Sequence, residues 1–360
     1  MRVLRAWGSG KVLFEQFDQL RCWFGQFLDW IGFGPVETPH RVLLAQRGMT
    51  LKSFSRGKDG APLLLIPAPI KRAYIWDLAP RSSAVRRCLE RGVRVYLIQW
   101  EQPGERELGL NEYADQFIIE CLDAMEAETG QHSAFLAGHS LGGTLAAIFA
   151  ALHPERVRGL VLFGGPLNFG IDIFAPLIKM APPLHFFPAI SHLVPGTFLD
   201  LVSWMSSPKT FMIGPWLDWL DCLADPEAMQ THLRVNRWML DEMPLPTRLF
   251  CEVVELLYRR NAFMDGNLIV RGRHASPENI KAPILAILET SSSIVPPESV
   301  FPFLGVAGSV DKGVMWYQGD IGVALQHVGI LVGANAQQFL FPSIIEWVKK
   351  RDENSDRLRQ

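Results

Sequence analysis

The sequence predicts an α/β fold: a mostly parallel sheet with helices on both faces, interrupted by an inserted helical cap. Short apolar runs alternate with helix-forming stretches on either side of residue 140, the pattern of strands buried on both faces. The alternation stops between Pro166 and about residue 270, where Pro, Phe and Trp accumulate, and then resumes. Gly138-His139-Ser140-Leu141-Gly142 stands between an apolar run and a helix-forming stretch. A strand must therefore turn sharply into a helix there, and small residues let the two backbones approach.

Near the N-terminus, residues 11–33 carry Leu13, Phe17, Leu20, Phe24, Phe27 and Ile31 at helical spacing, widened by Phe14, Trp23 and Trp30. Two readings of this helix stand: one packed on the core, or an amphipathic surface helix contacting lipid, polymer granule or a partner. Strands are predicted over 62–66, 93–99, 133–137, 157–163, 282–288 and 313–317, and helices over 84–91, 111–129, 144–152 and 339–350. The chain thus divides into an N-terminal helix and lead-in (1–55), a core (56–165 and 271–360) and a cap insertion (166–270). In the cap, Trp204, Trp216, Trp219 and Trp238 suit an apolar substrate, and cap–core packing accounts for them equally well. No repeat is present, and the mixed charges from Lys349 to Gln360 read as a solvated end.

The 360 residues are 48% hydrophobic and 20% charged, with a net charge of −2. That balance excludes a disordered chain and leaves no basic footprint for nucleic acid. The five cysteines, Cys22, Cys88, Cys121, Cys222 and Cys251, are widely spaced and lack a C-x-x-C pair. They read as reduced thiols of a cytoplasmic protein, with neither a disulfide framework nor a zinc site. The N-terminus lacks a signal-peptide pattern and no apolar stretch is long enough to span a bilayer. No resident cofactor or metal is expected.

Strand, G-x-S-x-G turn and helix together match the nucleophile elbow of an α/β-hydrolase. Ser140 is the predicted nucleophile, with its hydroxyl at a helix N-terminus where the Leu141 N–H and the helix dipole face a developing oxyanion. The base must be a histidine that comes later in the chain. His327, in Gln326-His327-Val328-Gly329-Ile330, falls in a predicted loop between the last strand and the closing helix. His139 reads as a packing or cap contact. The second oxyanion donor is expected just after the 62–66 strand; Pro67 and Pro69 carry no N–H, which leaves Ile70. The acid is expected between Leu288 and Pro297, where no aspartate occurs. Glu289 is the carboxylate at the strand end, Ser292 is a neutral alternative, and a lost acid is the third reading. Loss of a triad acid slows the serine-protease case by up to ~10⁴.

Beyond the elbow, Gly34-Pro35-Val36-Glu37-Thr38-Pro39-His40, Pro67-Ala68-Pro69-Ile70-Lys71-Arg72-Ala73-Tyr74, Val95-Tyr96-Leu97-Ile98-Gln99-Trp100, Arg237-Trp238-Met239-Leu240-Asp241, Asn261-Ala262-Phe263, Ile294-Val295-Pro296-Pro297 and His327-Val328-Gly329 form a set. With them the chain resembles the polyhydroxyalkanoate synthases, particularly the shorter class that works with a partner subunit, along nearly its whole length. The resemblance implies a cysteine nucleophile at the elbow, where this chain has Ser140. It implies an aspartate two residues before Ile294-Val295-Pro296, where this chain has Ser292, and an acid near Asn168. In that family the histidine activates the thiol and the aspartate assists the incoming hydroxyl during chain growth.

Three functions are compatible with these residues. The first is a serine hydrolase of an ester or acyl-CoA thioester of a hydrophobic or hydroxy acid, the second a synthase-type acyltransferase. The third is a non-catalytic relative that binds a granule surface or a synthase subunit. A homodimer is compatible with all three, as is a cytoplasmic, granule-associated location.

Overall fold

Eight strands form one twisted sheet in this computed structural model, and their order explains why the site lies where it does. The structure describes residues 2–357 except 56–58, 103, 105–106, 183 and 185–191, with side chains described from 14 to 353. The strands are β1 (Arg41–Gln46), β2 (Met49–Ser53), β3 (Pro62–Ile66), β4 (Arg94–Trp100), β5 (Ala134–His139), β6 (Val157–Phe163), β7 (Ile284–Glu289) and β8 (Lys312–Tyr317). Their spatial order is β1-β2-β4-β3-β5-β6-β7-β8. The first three pair antiparallel and the rest parallel.

Helices cover both faces. They are α1 (Arg2–Leu28), α2 (Ala84–Glu90), α3 (Phe117–Thr129), α4 (Leu141–Leu152), α5 (Ala175–Met180), α6 (Gly196–Ser206), α7 (Gly214–Asp221), α8 (Pro226–Met239), α9 (Thr247–Glu252), α10 (Phe301–Val306), α11 (Gln326–Val332) and α12 (Phe341–Arg357). Leu64, Ile66, Leu136 and Leu160 share one core with Ile118, Leu122, Leu145 and Phe149 of α3 and α4. Leu63, Leu65, Phe135 and Val161 share the other with Val85, Phe341, Ile344 and Val348 of α2 and α12. Successive side chains of a strand point to opposite faces, and here both faces are buried, so the central strands are apolar throughout.

Two differences from the sequence reading matter. Residues 41–53, predicted as lead-in, form the β1–β2 hairpin that extends the sheet. Arg47 and Gly48 make its two-residue turn, with Gly48 at φ +98°, in the left-handed region that glycine tolerates. His327 lies not in a loop but in the first turn of α11, a helix with no side-chain cap that its buried residues Val328 to Val332 hold in place.

Between β6 and β7 the described chain runs mostly through helices α5–α9, and α1 packs against α6 and α8. Several polar groups of α1 face the protein: Asp18 accepts from the Thr197 N–H, Arg21 pairs with Asp200 and Glu242, and Asp29, just beyond the helix, pairs with Arg237. Trp23 and Trp30 are 64% and 82% exposed, alongside Leu20, Phe24 and Phe27. The Leu13 side chain lies outside the described residues. Among the described residues no single helix is long and apolar enough to cross a membrane.

The close packing at the elbow yields a stability prediction. A Cβ on Gly142 would overlap the Ile66 carbonyl, which is backbone of the neighbouring strand and cannot rotate away. Gly142→Ala should therefore cost on the order of 3 kcal/mol, the upper part of the overpacking range, read as a lower chemical-denaturation midpoint. An unchanged midpoint would show that α4 does not approach β3 as described.

Candidate active site

The parallel register brings four strand ends together. Ile66 pairs with Gly138, His139 with Phe163, and Phe163 with Ile287, so the loops after β3, β5, β6 and β7 open at one edge. This carboxyl edge, where the connections diverge, is where open α/β sheets place their ligands.

Ser140 occupies the sharpest of these turns, at φ 54° and ψ −131°, a conformation that residues with a Cβ adopt at a cost. Its N–H donates to the Phe163 carbonyl (3.0 Å), while its own carbonyl accepts from Gly143 N–H (2.8 Å). The turn therefore belongs to the sheet on one side and to α4 on the other. Gly138 abuts Gly142, and Gly143 abuts Gly165, backbone against backbone, so side chains at these positions would force β5 and α4 apart. The Leu141 N–H is one of the first amides of α4 and has no intrahelical acceptor.

The loop after β3 is fastened on three sides. Trp100 Nε1–H donates to the Pro67 carbonyl (2.8 Å), Trp238 Nε1–H to the Arg72 carbonyl (2.8 Å), and Met243 N–H to the Ile70 carbonyl (3.0 Å). Ile70 and Leu141 line the same cavity as Ser140 and His327. That cavity measures about 250 Å³ and is lined mostly by apolar side chains, including Phe174, Leu199, Phe211 and Phe250 from the 166–270 segment.

His327 is held by shape and by its main chain. Its ring lies against Gly164, where a Cβ would come within 3.1 Å of Cε1. The His139 ring packs on it at 4.6 Å, and His139 Nε2 is 2.9 Å from the His327 carbonyl. A carbonyl only accepts, so that nitrogen carries the proton. Burial lowers His139 to about 4, partly offset by this bond. His139, read from sequence as a packing or cap contact, thus also anchors the main chain at His327. Burial, with His139 as a lesser contributor, holds His327 well below the usual histidine value, and its Nε2 is buried without a hydrogen bond. Burial thus favours the neutral imidazole.

Three readings of the acid stand from the sequence: Glu289, Ser292 or a lost acid. Glu289 lies at the end of β7 in register with Tyr317, and its carboxylate accepts from Ser291 Oγ (3.0 Å). Burial raises its pKa, offset by the Ser291 and Ser292 hydroxyls. Ser292 Oγ accepts from Val295 N–H (3.1 Å), closing the turn. Among the described residues no carboxylate is hydrogen-bonded or ion-paired to His327, and neither Glu289 nor Ser292 bonds its ring. The reason is local: Glu289 is still in the strand and its oxygen is taken by the serines that come after it. Asn168 is likewise occupied, its Oδ1 accepting from Asn261 Nδ2 (2.8 Å).

A family model described as the alpha/beta hydrolase fold matches residues 64–203. The chain is 28% identical over 326 residues to the poly(3-hydroxyalkanoate) polymerase subunit PhaC of Haloferax mediterranei, covering 88% of this chain and 65% of that protein. It is 25% identical to the PhaC subunit of Allochromatium vinosum, covering 87% and 89%. The chain has the α/β-hydrolase fold and is similar to poly(3-hydroxyalkanoate) polymerase subunits along most of its length. The match to the Haloferax relative thus spans less than two thirds of that protein's length. Among solved structures the synthase-like chain is similar to the Paleococcus ferrophilus monoacylglycerol lipase (TM-score 0.53, 18% identity, covering 84% of this chain and 99% of that one). A soluble variant of monoglyceride lipase from Saccharomyces cerevisiae gives a TM-score of 0.51 at 14% identity, covering 88% and 95%. These two likenesses show the fold alone.

Proton binding tests the site directly. In an NMR titration the His327 ring should have its midpoint below the ordinary ~6.5, and Glu289→Gln should leave that midpoint in place. A midpoint above the ordinary value that falls in Glu289→Gln would put the carboxylate on the ring. His139 and His327 also set a stability slope. Their folded pKa values lie below the unfolded value, so the unfolded chain binds more protons under about pH 6.5. Stability should be full above that pH and fall toward pH 4 by up to about 1.4 kcal/mol per unit for each histidine. His139→Gln, which keeps a donor for the His327 carbonyl, should flatten the slope in denaturation curves; an unchanged slope would contradict the assignment.

Proposed function

We propose that the protein is a serine-nucleophile acyl-transfer enzyme that hydrolyses an ester or acyl-CoA thioester of a hydrophobic or hydroxy acid. The observation that carries this reading is Ser140 on a strained elbow at the mouth of an apolar cavity that also holds a buried, neutral, unpartnered His327. In the proposed reaction, His327 takes the Ser140 proton as Oγ attacks the acyl carbonyl carbon. The Leu141 and Ile70 N–H groups stabilise the oxyanion. Collapse breaks the ester or thioester bond, and the leaving alcohol or CoA thiol takes the proton from His327. Water, deprotonated by the same imidazole, then attacks the acyl-enzyme, releasing the acid and restoring Ser140. CoA enters as part of the substrate; the reading calls for no resident cofactor or metal.

Residues 166–270 serve as the cap in this reading, since they supply much of the apolar cavity wall. The synthase-type reading differs only in the second step, where a chain-end hydroxyl replaces water; the polymerase relatives favour it. The exposed aromatic face of α1 suits a granule surface or a partner subunit in either case. A cytoplasmic location accords with the five unpaired cysteines.

Purified wild type and variants assayed on p-nitrophenyl and acyl-CoA esters test the proposal. Ser140→Ala should reduce hydrolysis by more than about 10³-fold, while Ser140→Cys should retain slow acyl transfer. Ser292→Asp should raise the wild-type rate by giving the imidazolium a charge partner. A Ser140→Ala rate equal to wild type would remove the serine from the mechanism.

A further inference from the structure

The base-bearing helix α11 is tied to the 166–270 segment by one buried carboxylate. Asp218, on α7, lies 104 and 106 residues before the groups it binds. Its Oδ1 accepts from Gly322 N–H (2.8 Å) and its Oδ2 from Ala324 N–H (2.7 Å). Oδ2 also accepts from Nδ1 of the buried His232 on α8 (2.6 Å). The two amides belong to a turn that the chain does not adopt freely. Gly322 is at φ +78° with Ala228 where a Cβ would stand, and Ala324 is at φ +57° despite its side chain. A non-glycine residue holds that left-handed conformation only where its surroundings impose it.

The turn matters because it leads directly into α11. Leu325 precedes that helix and contributes no side-chain cap, and His327 is in its first turn. The loop is also closed on itself, with Gln326 Oε1 accepting from Asp320 N–H (3.0 Å) and Gln326 Nε2–H donating to the Asp320 carbonyl (2.6 Å). Residues 320–326 therefore move as a unit, and Asp218 fixes that unit to α7. From the opposite side His139 fixes the His327 carbonyl.

We propose that Asp218 is a positioning residue for His327: it sets the place of the imidazole through the 322–324 main chain, without touching the ring. The proposal rests on the reading of His327 as the base. It gives the site a substitute for the missing triad acid, orienting the ring by geometry instead of charge. A displacement of about 1 Å at a catalytic group costs on the order of 10²-fold in rate.

The test compares wild type, Asp218→Ala and Asp218→Ala/Ala324→Gly as full chains. It uses His327 ring resonances, identified by their loss in His327→Gln, and kinetics on a p-nitrophenyl ester. Asp218→Ala should shift or broaden the His327 resonances and lower kcat by about 10–100-fold, with KM within about twofold. Adding Ala324→Gly should restore part of the rate, because glycine takes the left-handed conformation without a clamp; general destabilisation would not respond this way. Unmoved His327 resonances, or kcat within twofold of wild type, would overturn the proposal. Should Asp218→Ala not fold, Asp218→Asn, which keeps one acceptor oxygen, is judged by the same resonances and the same kcat. A wild type without esterase activity would instead overturn the functional reading, and the resonances alone would then decide the role of Asp218.

Discussion

The tight turn at Ser140 is the constraint on which the rest of the site depends. Its N–H closes on β6 and its carbonyl on α4, so the serine cannot relax without breaking either the sheet or the helix. The strain of the positive φ is held by glycine-to-glycine contacts between β5, α4 and the loop after β6. Because the neighbouring strands are parallel and in register, fixing this turn also fixes the loops after β3, β6 and β7 around it. The hydroxyl, the helix amides and the imidazole are gathered by the sheet before any substrate arrives, which is what electrostatic preorganisation requires.

On the proposed reading of His327 as the base, the same architecture takes over part of what a carboxylate would do. In a serine triad the acid both orients the imidazole and stabilises its charged form. Here orientation comes from the Gly164 contact, the tilted His139 ring packed on it and the hydrogen bond to the His327 carbonyl. Among the described residues no carboxylate stabilises the charged form, and burial opposes it. The arrangement favours a neutral acceptor at the start of the reaction and penalises the imidazolium formed next, so slow chemistry is expected of it.

The features legible in the sequence are those with strong local patterns. The apolar runs of β3 to β7 and the Gly138–Gly142 turn specify strand, turn and helix by themselves, and His327 emerges from chain order. The β1–β2 hairpin was not legible, because Arg41, Gln46 and Lys52 interrupt its apolar pattern in two short strands. The helix α11 was not legible either: Gln-His-Val-Gly-Ile-Leu-Val is rich in β-branched residues, holds a glycine and lacks a cap, and burial overrides its weak propensity. The sequence could name Glu289 and Ser292 as candidates but not show that each is used by its own turn. Asp218 carries no local signal, since its partners are more than a hundred residues away. The apolar stripe of α1 was visible, whereas its outward direction depends on polar contacts that Asp18, Arg21 and Asp29 make with a distant segment.

The central claim is that Ser140 is made nucleophilic by a neutral His327 in a site assembled by the fold. The most direct measurement is reaction of the native protein with a fluorophosphonate, followed by mass mapping of the adduct. A single adduct on Ser140, formed by wild type and lost in His327→Gln with the fold retained, is the predicted result. No adduct on folded wild type, or one formed equally well without His327, would contradict the account.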